Sequence, residues 1–135
     1  MTAPRYLLDT NICIYIRRQR PPSVLERFRK LRPGEAVIST ITYGELLYGA
    51  AKNQAPKAAK RRLAALTELL PVLPLGEEVA RIYGEIRASL ESTGQVIGGN
   101  DLWIAAHAKA SKLTLVTNNE REFRRVTGLK IENWA

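Results

Sequence analysis

The sequence predicts a three-layer α/β fold, with a central parallel sheet covered by helices on both faces. Three observations lead there. Short apolar runs alternate with segments of helical periodicity, the runs end in polar or glycine-bearing turns, and 135 residues suffice for one domain. Strands joined through helices enter a sheet in parallel, because each crossover returns the chain to the edge it left. No linker, internal repeat or low-complexity segment divides the pattern, so residues 1–135 are expected to form a single domain.

Tyr6-Leu7-Leu8 is a first strand, closed by the polar turn Asp9-Thr10-Asn11, and Ile12 to Arg18 follows as a helix. After Pro21-Pro22-Ser23, apolar Val24, Leu25, Phe28 and Leu31 recur at helical spacing. Pro33-Gly34 breaks the chain before a second strand, Ala36 to Ser39, and a helix from about Thr42 to Ala51. Lys57 to Leu70 reads as a basic amphipathic helix, and Val72-Leu73 as a short strand between prolines. Glu77 to Leu90 sets Val79, Ile82, Tyr83, Ile86 and Leu90 on one helical face. A glycine-bearing loop, Gly94 to Gly99, leads into a helix beginning at Asp101 that is apolar nearly all round and therefore belongs in the core. Thr114 to Thr117 is a further strand, followed by a short helix and an edge strand at Leu129 to Ile131.

Apolar residues make up 45% of the chain and charged residues 25%, which excludes disordered, collagen-like and coiled-coil classes. No apolar run reaches the roughly 18 residues that a membrane helix needs; the nearest, Leu69 to Leu75, is broken by proline. The opening Met-Thr-Ala-Pro-Arg-Tyr is not a secretory leader, and the lone Cys13 cannot form an internal disulfide, so a cytoplasmic location is expected. Lys and Arg number 21 against 13 Asp and Glu, a formal net charge of +8. Such a charge on a small body favours a polyanionic partner, because each phosphate neutralised releases counterions.

Three acidic residues stand where chemistry is done in parallel sheets, at the carboxyl ends of strands and the starts of the next helices. They are Asp9, Glu45 and Asp101. Each also has a structural reading: Asp9 as an Asx-turn or helix-cap residue, Thr42-Tyr43-Gly44-Glu45 as a capping box, and Asp101 or Asn100 as the cap of its helix. If they converge, two carboxylates about 4 Å apart repel by roughly 4 kcal/mol at an effective dielectric of 20, so the cluster calls for a cation. Oxygen ligands of this type select Mg²⁺ or Mn²⁺, which suits metal-assisted phosphodiester hydrolysis.

Competing chemistries are thin. The only histidine, His107, lies six positions after Asp101, about 240° round the helix, and points away from it. Cys13, among Ile12, Ile14 and Ile16, reads as a small buried hydrophobe rather than a nucleophile. No Walker lysine motif, GxGxxG or Cys/His zinc spacing is present. Basic residues gather at Arg17 to Arg32, at Lys57 to Arg62 and at Arg121 to Arg125; Arg17, Arg18, Arg20 and Arg121 are the candidates for contact with a nucleic-acid phosphate backbone. Tyr43, Tyr48, Tyr83 and Trp103 read as core or subunit-interface residues.

Four segments together resemble the motifs of PIN-domain proteins, and more narrowly of the VapC toxins of VapBC toxin–antitoxin modules. They are Leu7-Leu8-Asp9-Thr10-Asn11, Ser39 to Ala50 (STITYGELLYGA), Ile97 to Ala108 (IGGNDLWIAAHA) and Leu115 to Phe123 (LVTNNEREF). The likeness runs almost end to end and includes the terminal Ile131-Glu132-Asn133-Trp134. It implies a Mg²⁺-dependent endoribonuclease, a homodimer, and a cognate VapB-type antitoxin whose C-terminal segment blocks the active site. Asp9, Glu45 and Asp101 match the family's acidic metal-site positions, and Thr10, Asn11 and Thr117 its polar positions. Where many members carry a fourth acid, two residues after Thr117, this chain has Asn119. Glu120 or Glu122 is placed to compensate, although Thr117-Asn118-Asn119-Glu120 also reads as a capping box. The resemblance further implies cleavage of structured RNA, often transfer RNA, and its closest branch acts on initiator transfer RNA. Two rivals remain on the residues alone: a haloacid-dehalogenase-type phosphatase using Asp9, and a non-catalytic nucleic-acid-binding repressor.

Overall fold

A computed structural model describes residues 2–135. Five strands form one parallel sheet in the order β3-β2-β1-β4-β5. β1 spans Tyr6–Leu8, β2 Ala36–Ser39, β3 Val72–Leu73, β4 Thr114–Val116 and β5 Ile131–Glu132. β1 pairs with β2 on one side (Leu7 opposite Val37) and with β4 on the other (Leu7 opposite Leu115). The chain therefore leaves β1 in one direction and returns later to its opposite side, and in such sheets a crevice opens where the strand order reverses.

Alternation along the strands decides which helices cover which face. Leu7, Val37 and Leu115 enter one core, while Tyr6, Leu8, Ala36, Ile38 and Val116 enter the other. The first core is closed by α5 (Glu77–Ser92), α6 (Gly99–Ala110) and α7 (Glu120–Phe123). The second is closed by α1 (Thr10–Arg18), α2 (Pro22–Arg29), α3 (Thr40–Ala51) and α4 (Pro56–Leu69). Leu7, Leu8 and Leu115 have no exposed surface, as expected of strands covered on both faces. α6 is buried at Leu102, Ile104, Ala105, Ala106, His107 and Ala108, in keeping with its nearly uniform apolar sequence.

The expected elements are all present, with shifted edges. α3 begins at Thr40 rather than Thr42, because the Ser39 hydroxyl accepts from the Ile41 amide at 3.1 Å and caps the helix earlier. This places Glu45 beyond the first turn and removes the capping-box reading of Thr42 to Glu45. The last strand is Ile131–Glu132, set by pairing with Leu115 and Val116, rather than Leu129 to Ile131. Trp134 folds back edge-on to Tyr6 at 5.3 Å, with Arg27 over its ring and bonded to Glu132. Arg27 is thereby spent on a tertiary ion pair and leaves the basic face.

Candidate active site

Asp9 ends β1 and is almost fully buried. Its Oδ1 accepts from the Ile12 amide at 3.0 Å and so caps α1, while its Oδ2 accepts from the Thr117 hydroxyl at the end of β4. Capping and a site role are compatible here, since each carboxylate oxygen carries two lone pairs. Burial pushes the Asp9 carboxyl above its ordinary range; the Thr117, Ile12 and Asn11 hydrogen bonds oppose this, and the charge of Glu45 adds to it. Asn11 contributes its backbone here, and its side chain is exposed.

Glu45, half-buried on α3, receives the Thr10 hydroxyl at 2.6 Å, and Thr10 lies 3.3 Å from the hydroxyl of buried Thr42. The first turn of α6 supplies Asp101, whose helix is capped by Gly98, so neither Asp101 nor Asn100 is the cap. Its carboxyl is raised to about 6, first by burial and then by the charges of Glu122, Asp9 and Glu45. Three distant segments thus deliver carboxylates that feel one another's charge. Among the described residues, none of Asp9, Glu45, Asp101 and Glu122 forms an ion pair with lysine or arginine.

Of the two candidates to replace the missing acid, the geometry separates Glu122 from Glu120. Glu122 accepts from Asn119 Nδ2 at 3.1 Å and is the strongest charge acting on Asp101. Glu120 turns to Arg124 and Asn133 instead. No side-chain capping bond forms at Asn119; its amide donates to Thr117 Oγ1 at 2.9 Å, so Thr117 organises both Asp9 and the start of α7.

The donor set contains only oxygen ligands and carries uncompensated negative charge, which suits a hard divalent cation. Among the described residues, no group of three or more His, Cys, Asp or Glu side chains is placed to hold a metal ion. An ion here would rest on one or two carboxylates and complete its shell with water.

Two grooves meet at Arg17, and one of them reaches the cluster. One, about 820 Å³, contains Thr10 and Glu45 and is walled by Arg17, Arg18, Tyr48 and Lys52. The other, about 350 Å³, is mainly apolar and lies between α1, α2 and α4, with Ile16, Leu25, Phe28, Leu63 and Leu66 in its lining. Arg17 lies on both. Arg20 and Arg121 are exposed but line neither groove. Lys52 escaped the sequence reading, although its position seven residues after Glu45 and four after Tyr48 places all three on one face of α3.

His107 and Cys13 stand apart from this chemistry. Burial holds the imidazole below its ordinary value, and its Nδ1 lies 2.8 Å from Ser39 Oγ. Cys13 has no exposed surface, and burial pushes its thiol far up.

Carboxylates gathered at the switch point of a five-stranded parallel sheet define a PIN domain, and the PIN-domain family model matches residues 6–129. The chain belongs to that family. Ribonuclease VapC2 of Haemophilus influenzae is 43% identical over 134 residues, covering 97% of this chain and 98% of the relative. A tRNA(fMet)-specific endonuclease VapC of Shigella flexneri is 42% identical over 131 residues, covering 97% and 98%. In the crystal structure of DNA-bound VapBC from Salmonella typhimurium, one chain superimposes with a TM-score of 0.91 at 39% identity, covering 98% of this chain and 99% of that one. Within the PIN-domain family, this chain belongs to the VapC ribonucleases.

Proposed function

We propose that this chain is the toxin of a VapBC-type toxin–antitoxin pair, an endoribonuclease that uses Mg²⁺, or Mn²⁺ in its place, to cut structured RNA. Transfer RNA is the leading substrate, with the initiator anticodon stem-loop first among its sites, and the consequence is arrested translation in the cytoplasm. The observation that carries this reading is that the charges of Asp9 and Glu45 reach Asp101 and, among the described residues, none of the three forms an ion pair with lysine or arginine.

Asp9 and Asp101 are the residues to hold the ion, with Glu45 beside them. Bound there, a divalent cation supplies the Lewis acidity that makes water nucleophilic at neutral pH and offsets charge growing on the phosphate. Thr117 and the Ile12 amide fix the Asp9 carboxylate in place. Thr10 holds Glu45 Oε1 and leaves Oε2 to orient the attacking water and accept its proton. Asn119 and Glu122 keep the outer rim polar. Because water rather than the 2′-hydroxyl attacks, the products carry a 5′-phosphate and a 3′-hydroxyl.

The partner reading draws on the apolar groove. An antitoxin segment with apolar side chains fits between α1, α2 and α4, and an acidic residue on it would reach Arg17 at the border of the active-site groove. Exposed Leu47, Tyr48 and Ala51 are the candidate homodimer contacts.

The decisive experiment incubates the purified, antitoxin-free chain with total bacterial transfer RNA, with and without Mg²⁺, beside Asp9→Asn, and maps fragment ends. Cleavage that requires both Mg²⁺ and Asp9 is expected. A 2′,3′-cyclic phosphate end, or equal cleavage in EDTA, overturns the mechanism.

A further inference from the structure

Two half-buried cations beside α6 have no carboxylate partner. Arg125 lies in the turn after α7, and Lys109 in the last turn of α6. Among the described residues, neither forms an ion pair. Each is spent on a main-chain carbonyl instead: Arg125 Nη1 donates to Val96 O at 3.0 Å, and Lys109 Nζ to Thr127 O at 2.8 Å. Both line one pocket of about 220 Å³ against α5, where the neighbouring carboxylate, Glu85, is held by Arg81 at 3.1 Å.

The two bonds join the same pair of segments at different points. Val96 belongs to the loop that runs from Gly94 to Gly98 into α6, and, among the described residues, no side chain but Arg125 is hydrogen-bonded to that loop. Thr127 belongs to the turn that follows α7, and Lys109 reaches it from the opposite end of α6. The turn is thus strapped to α6 at both ends of the helix. Gly128 makes room for the second strap: its φ is +79°, and a Cβ there would stand 3.5 Å from Lys109 Cε.

α7 needs this support. It is four residues long, too short to persist as a helix without tertiary contacts. Its first end is tied through the Asn119 amide to Thr117, and Phe123 anchors it in the core. The Arg125 amide donates to the Glu122 carbonyl at 3.1 Å, so the residue that grips Val96 also grips Glu122. The load on α7 is electrostatic. Of the charges acting on Asp101, that of Glu122 is the strongest, and like charges move apart unless the backbone holds them.

We propose that Arg125 and Lys109 are positioning residues, which brace the turn after α7 against both ends of α6 and so keep Glu122 beside Asp101 for a divalent cation. The inference rests on the metal-dependent ribonuclease reading and adds two residues that touch neither the ion nor the RNA. Arg125 thereby leaves the basic residues free to meet phosphate, although the sequence groups it with Arg121 and Arg124.

The test compares Arg125→Met, which keeps bulk and loses the donors, with Arg125→Lys, which keeps a cationic donor, and with Lys109→Met. Hydrogen exchange in EDTA reads the brace without metal. Arg125→Met should exchange faster across residues 93–99 and 118–126, while β1 and α3 exchange as in wild type. Mg²⁺ is then titrated without RNA, with melting temperature as the readout. Arg125→Met and Lys109→Met should each need about tenfold more Mg²⁺ for the rise seen in wild type, and Arg125→Lys should recover most of it. A lower metal-free melting temperature with unchanged Mg²⁺ dependence is what a merely structural role gives, and it overturns the brace. So does unchanged exchange in Arg125→Met. RNA binding in EDTA should match wild type at every salt concentration; a salt slope lowered by about one ion assigns Arg125 to phosphate instead. Cleavage of transfer RNA is scored separately. Wild type that cuts only in Mg²⁺, while Arg125→Met takes up Mg²⁺ normally, defeats the brace alone. Wild type that neither takes up Mg²⁺ nor cuts defeats the ribonuclease reading, and exchange in EDTA still decides whether the two cations hold α7.

Discussion

Asp9 carries two duties that substitution can separate. Asparagine caps a helix about as well as aspartate, so Asp9→Asn keeps the Ile12 bond and loses the charge. Its melting temperature should stay near that of wild type, with cleavage down by more than about 100-fold, measured by calorimetry and by gel assay on one preparation. Asp101 gives a pH signature. Its carboxyl titrates near 6 in the fold, above its ordinary 3.8, so the folded state holds the extra proton. Stability from this group is therefore highest below about pH 4 and falls as pH rises through 6. His107, held low by burial, acts in the opposite sense, so the informative quantity is the difference between wild type and Asp101→Asn. In metal-free buffer, Asp101→Asn should gain stability over wild type as pH rises from about 4 to about 7, and Mg²⁺ should stabilise wild type alone. Parallel melting curves at every pH would contradict this.

At the scale of elements, the site depends on how α3 and α6 are set against β1. His107 on α6 holds Ser39, the cap of α3, and also faces the Pro74 carbonyl beyond β3. A carbonyl only accepts, so one ring N–H serves Pro74 and Nδ1 accepts the Ser39 hydroxyl, which fixes the neutral ring in one tautomer. The helix bearing Asp101 is thereby tied to the helix bearing Glu45 by a buried polar link. Replacing His107 with leucine leaves the Ser39 hydroxyl in the core without its partner and should cost about 1–3 kcal/mol, read from urea unfolding. Ser39→Ala should lose the cap and the link together. A double-mutant cycle showing no coupling between the two would remove this link.

At the scale of the molecule, a charge of +8 surrounds an acidic centre, so phosphate is drawn to the rim and a cation to the middle. RNA binding in EDTA should weaken at least about tenfold between roughly 50 and 200 mM NaCl, a loss that a neutral stacking surface would not show. The sequence by itself determined the α/β class, the order of elements and the three principal carboxylates. Apolar periodicity and turn chemistry act over a few residues, and strand ends in a parallel sheet share one edge whatever separates them in the chain. Helix starts were less legible: Ser39 reads like any residue of its strand until its hydroxyl meets the Ile41 amide. Only the tertiary structure decided that Glu122 rather than Glu120 joins Asp101, that Arg27 is spent on Glu132, and that Tyr48 faces open groove instead of core. Those outcomes depend on what packs opposite each side chain from far along the chain, 68 residues away for His107–Ser39 and 105 for Arg27–Glu132, or on nothing packing there at all. Periodicity along one helix carries no information about its neighbours, so the sequence named the acids, and the packing of α1, α3, α6 and α7 round β1 chose their company.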